Sequence, residues 1–102
     1  METCNVHPEE ILAHVADAAG LTVEEVLLHT RRRYATDCLA VAAFLMRREG
    51  YSLTRIGAAL RRHHATVLFA LRKVDCALRV RHGYEGLIRL LERAGGDVFI
   101  NN

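Results

Sequence analysis

Apolar residues recur along this chain every three or four positions rather than every second one, a period that predicts helices and no sheet. His7-Pro8-Glu9-Glu10 reads as a helix start, with Pro8 at the first helical position and acids near the positive helix end. Ile11, Val15 and Ala18-Ala19 carry the apolar stripe to Gly20, a predicted C-cap. Thr22-Val23-Glu24-Glu25 is a capping box that opens a short second helix, ending near Thr30. A third helix is expected from Tyr34 to Glu49, stopped by Gly50. Its centre, Leu39 to Met46, is apolar nearly all round, which implies burial among other helices.

The pattern then changes character. Ser52 is a good N-cap, and Leu53, Ile56 and Leu60 form one apolar face of a short helix. Gly57 and Ala58-Ala59 are small enough to let another helix come close. Arg61-Arg62-His63 interrupts the periodicity, which resumes as a stripe through Val67, Leu71, Val74 and Leu78. The far side of that longer helix carries Ala65, Thr66, Phe69, Arg72 and Lys73. Two helices joined by a short basic turn, the second with small, hydroxyl and basic residues facing outward, suit a DNA major groove. Arg79 to Gly83 makes a break, and a last amphipathic helix runs from Tyr84 to Ala94 through Leu87, Ile88, Leu90 and Leu91. The expectation is an all-α bundle of about six helices containing a helix-turn-helix. It forms one domain over residues 1–102, with its core at about 7–94. Residues 95–102 form a tail that is either loose or folded back through Val98, Phe99 and Ile100.

Charge sharpens this picture. Residues 1–30 hold six acids and no Lys or Arg, a balance of −6, whereas residues 31–81 hold twelve basic residues and three acids, a balance of +9. The remaining residues sum to −1, so the net +2 conceals a basic middle that coincides with the helix-turn-helix. Such polarity is the footprint of a phosphate-binding face. A length of 102 residues fits one core, and 51% hydrophobic residues can fill it.

Other classes fit poorly. No run of about 18 apolar residues could span a membrane, and the acidic Met1-Glu2 start lacks the apolar block of a signal peptide. Cys4, Cys38 and Cys76 are an odd number in a helical pattern, which suits reduced thiols in a cytoplasm. Cys4-x-x-His7 and His63-His64 have no second cluster to complete a metal site, so neither metal nor cofactor is expected. Phosphate-loop, nucleophile-elbow and zinc-protease motifs are absent, and the chain reads as a non-enzyme. His14 and His29 fall in helices, as structural or solvated residues.

The run Ser52-Leu53, Ile56-Gly57, Leu60, His64, Thr66-Val67-Leu68, Ala70 and Arg72-Lys73-Val74 resembles the C-terminal DNA-binding domain of the bacterial replication initiator DnaA. Weaker similarity extends over about residues 9–90. The resemblance implies a small all-helical fold related to that of the Trp repressor, with duplex DNA as partner and a nucleoid-associated, cytoplasmic setting. It implies that His64 and Thr66 face base edges, and His63, Ala65 and Phe69 are added to them as expected base readers although the family places other residues there. For His64 and Thr66 the alternative is simple helix capping, and for Phe69 it is packing against a neighbouring helix. Phosphate or groove contacts are expected from Arg31, Arg32, Arg33, Thr54, Arg61, Arg62, Arg72 and Lys73. The seven cations among them suggest about four to seven phosphate contacts and a log–log salt slope of roughly −4 to −6.

This chain also departs from the family pattern. His63 stands where the family has a base-reading Asp, and Ala65 where it has Ser or Thr. One residue of the usual Gly-Gly-Arg turn is missing, and Arg55 replaces the capping-box Glu. The Arg31 to Arg33 run lies in the loop that the family uses as a basic arm into the minor groove. The family's minor-groove Arg near the start of the central helix has no counterpart between Thr36 and Leu39, so either the triplet substitutes for it or that contact is lost. Phosphate and groove-edge contacts are the preferred reading. His63 can accept or donate according to tautomer, and only donate when protonated. The reading is therefore a sequence-selective regulator of replication or transcription without ATPase activity. The alternative is an interaction module of the same fold that has lost specific DNA binding and takes a protein partner instead.

Overall fold

The computed structural model describes residues 7–28 and 33–95, and of Arg33 the backbone only. Six helices follow one another: α1 (Pro8–Ala19), α2 (Val23–Leu27), α3 (Arg33–Arg48), α4 (Leu53–Leu60), α5 (His64–Val80) and α6 (Glu85–Gly95). No strand occurs among the described residues. The all-α expectation holds, and the start and stop signals account for most of the boundaries.

Local chemistry explains the ends. The Glu10 carboxylate accepts the His7 N–H at 3.2 Å, and Gly20 closes α1 in the left-handed region at φ 77°. At α2 the box is reciprocal: Thr22 Oγ1 accepts the Glu25 N–H at 3.1 Å, and Glu25 Oε1 accepts the Thr22 N–H at 2.8 Å. This helix stops at Leu27, short of the expected Thr30, because Leu28 turns extended at ψ 143°. Ser52 Oγ accepts the Arg55 N–H at 3.1 Å and so caps α4 without a partner Glu. The Arg55 side chain does something else. Its guanidinium meets both carboxylate oxygens of Glu9 at 3.3 Å, tying α4 to α1 and holding the Glu9 carboxyl below its ordinary pKa.

The apolar centre of α3 makes it the hub, in contact with each of the other five helices. Val41, Ala42, Ala43 and Met46 are wholly buried there, and the Ala side chains leave room for close neighbours. Around them gather Leu12 and Val15 of α1, Val26 of α2, Ile56 and Leu60 of α4, Val67 and Val74 of α5, and Leu87, Leu90 and Leu91 of α6. Two polar clasps join α1 to α6. His14 Nε2 bonds the Ala94 carbonyl at 2.8 Å, and Arg93 donates to the Ala18 carbonyl at 3.0 Å. His14 is thus structural. His29, Cys4 and the tail beyond Gly95 lie outside the described residues. No described helix is long and apolar enough to cross a membrane.

Candidate nucleic-acid interface

The turn between α4 and α5 is built on one glycine and three polar residues. A Cβ on Gly57 would stand 2.6 Å from the Arg62 carbonyl oxygen, a contact no side chain tolerates without moving backbone. The smallness of Gly57 therefore serves the approach of the turn itself, not of another helix. The Arg62 N–H donates to the Gly57 carbonyl at 2.9 Å and closes the loop back onto α4.

Arg61 caps α4 in the left-handed region, at φ 56° and ψ 44°. That conformation costs a non-glycine residue roughly 1–2 kcal/mol, while glycine gives back about 0.5–1 kcal/mol in chain freedom. Arg61→Gly is accordingly expected to raise stability by roughly 0.5–1 kcal/mol. It should also flatten the salt dependence of DNA binding by about one. Urea unfolding and a salt titration read the two effects separately, and a lower urea midpoint would mean that the Arg61 side chain itself holds the turn.

Arg62 is placed differently from its neighbour. Its guanidinium donates to the carbonyls of Leu27 and Leu28 at 3.3 Å, and to those of Leu60 and Arg61 at 3.1 and 3.3 Å. It is half-buried and pins the turn to the end of α2, which satisfies carbonyls that the ends of α2 and α4 leave open. In this structure Arg62 thus serves as an internal anchor of the turn.

His63 is the N-cap of α5. Its backbone is extended (φ −65°, ψ 148°), and its Nδ1 accepts the Ala65 N–H at 3.1 Å. Its ring lies against that of His64, with centroids 4.2 Å apart and a tilt of 32°. Capping thus belongs to His63, and His64, Ala65 and Thr66 are exposed in the first turn of α5. Further along, Ala65, Phe69 and Arg72 recur at i, i+4 and i+7, so they share one face. Phe69 is 67% exposed, which decides against packing on a neighbouring helix. Val67, Val74 and Ala77 are buried on the opposite side, whereas Leu71 and Leu78 are only half-buried. Thr54 is exposed in the first turn of α4. Arg79 and Asp75 form an exposed pair at 3.0 Å, of little energetic weight.

Lys73 likewise has an internal partner. Its ammonium sits 2.8 Å from Oδ1 of Asp37 in α3, and Asp37 is buried while Lys73 is one-third exposed. The cation assigned to phosphate balances an internal carboxylate. Next to Asp37, burial and that carboxylate raise the Cys38 thiol to about 11, so it stays protonated and unreactive. Sequence reasoning missed the role of Asp37, although a lone acid among the apolar residues of a buried helix requires a partner. Arg31 and Arg32 lie outside the described residues, as does the side chain of Arg33 at the start of α3.

The arrangement is two helices held at a fixed turn, with one face of the N-terminal half of the second helix open to solvent. The family described as the bacterial dnaA protein helix-turn-helix matches residues 8–74, from the start of α1 into the middle of α5. No solved structure matches the chain. The matched span covers α1 to α4 whole and the first part of α5, and includes the turn, the cap and the open face. This chain belongs to the bacterial DnaA helix-turn-helix family, whose fold is all-α and whose business is DNA.

Proposed function

We propose that this protein binds duplex DNA sequence-selectively, with α5 in the major groove and the turn against the backbone. The observation that carries the reading is the open face of α5. Ala65, Thr66, Phe69 and Arg72 are all exposed, while Val67 and Val74 behind them are anchored in the core. A groove reader needs that combination, because a mobile helix would lose base contacts as fast as it made them. His63, His64, Ala65, Thr66 and Phe69 read bases. Arg61, Arg72, Thr54 and the Arg31 to Arg33 run hold phosphates. Residues 1–102 act as one DNA-binding domain that regulates replication or transcription at the nucleoid by occupying its site, without hydrolysing a nucleotide.

With Arg62 and Lys73 committed to internal partners, the remaining cations support about three to five phosphate contacts. The expected log–log salt slope is therefore roughly −3 to −4.5, shallower than the sequence suggests. Fluorescence anisotropy on labelled duplexes between about 50 and 200 mM salt measures it. No binding at the low end would discard this reading in favour of the protein-interaction alternative.

A further inference from the structure

We infer that His63 is a specificity-determining residue that donates a hydrogen bond and selects guanine at the base it faces. The inference rests on the DNA-binding reading above and deepens it.

The cap carries the argument. Nδ1 of His63 accepts the Ala65 N–H at 3.1 Å, so that nitrogen has its lone pair directed into the first turn of α5 and carries no proton. The proton of the neutral ring is then on Nε2. The ring is also fixed in place, by this bond at one edge and by the His64 ring against its face at 4.2 Å. His63 is exposed at the N-terminus of the helix that enters the groove. Its free edge is an N–H donor, and the fold has chosen that tautomer before any DNA arrives.

In the major groove, guanine presents two acceptors, N7 and O6, to such a donor, and cytosine presents only its own amino donor. A donor facing a donor leaves both unpaired at the interface, which is more costly than a missing bond. The ring therefore favours guanine and rejects cytosine, by about tenfold in affinity for one hydrogen bond gained and one clash avoided. Adenine N7 and thymine O4 are single acceptors and fall between.

Two substitutions keep the cap and separate the donors. In His63→Asn the amide oxygen can accept the Ala65 N–H while the amide nitrogen still donates outward. In His63→Asp both oxygens only accept. Asn and Asp are both favoured N-caps, so both variants are expected to fold, as circular dichroism checks. Selection of bound sequences from a random duplex library, run on the intact chain, should give guanine at one position for the unsubstituted protein and for His63→Asn. It should give cytosine there for His63→Asp, with the rest of the site unchanged. Identical selected sites for all three proteins would overturn the assignment of His63 while leaving DNA binding intact. Failure of the unsubstituted protein to enrich any sequence would overturn the DNA-binding reading and this inference with it.

Discussion

Replacing Gly57 by Ala is expected to destabilise the protein by about 1–3 kcal/mol, the usual range for forcing a methyl into a filled space. The space here is closed by backbone. The Arg62 carbonyl oxygen stands 2.6 Å from where the Cβ would be, and the hydrogen bond from the Arg62 N–H to the Gly57 carbonyl prevents the turn from swinging away. Arg62 is itself held by the Leu27 and Leu28 carbonyls. Relief of the clash must therefore shift the turn, and with it the His63 cap and the start of α5. Gly86 in α6 provides the control, because a Cβ there meets nothing within 4 Å. Gly86→Ala should raise stability by up to about 0.5–1 kcal/mol through chain entropy alone. Thermal unfolding should show opposite signs, with roughly 4–8 °C for each kcal/mol in a domain this small. Gly57→Ala should also weaken DNA binding below its own unfolding temperature. Equal gains from both substitutions would show that the turn yields freely and does not position α5.

Most of the fold was legible because helix boundaries are written locally. Thr22 with Glu25, Pro8 before Ile11, Gly20 and Ser52 each act on neighbours within a few residues, so spacing alone reveals them. The burial of α3 was equally readable, since Leu39 to Met46 offers no polar face to water. The interface was harder. Arg61, Arg62, Arg72 and Lys73 look alike in sequence, yet two are exposed and two are bound to partners far along the chain. What separates them is tertiary: Arg62 reaches carbonyls about 35 residues upstream, and Lys73 reaches an acid in another helix. The same holds for His63. Its place before α5 was evident, but only the 3.1 Å bond to Ala65 decides which ring nitrogen faces outward.

Lys73→Ala should reveal this distinction most sharply. Removing one partner of a buried ion pair ordinarily costs about 3–5 kcal/mol, because the surviving charge is left without water or counter-charge. Lys73 is one-third exposed, and a cavity of about 110 Å³ bordered by Tyr84 and Leu87 opens beside the pair, so water can reach Asp37 once the ammonium is gone. The expected loss is therefore smaller, roughly 1–3 kcal/mol. Asp37→Asn added to Lys73→Ala should recover a good part of it, since a neutral amide replaces the stranded carboxylate. The salt slope of DNA binding gives the second readout. For Lys73→Ala it should stay within about half a unit of the parent, whereas Arg72→Ala should flatten it by about one. Should Lys73→Ala instead leave urea stability untouched and flatten the slope as Arg72→Ala does, Lys73 would belong to the phosphates and Asp37 would have to be stable in the core without it.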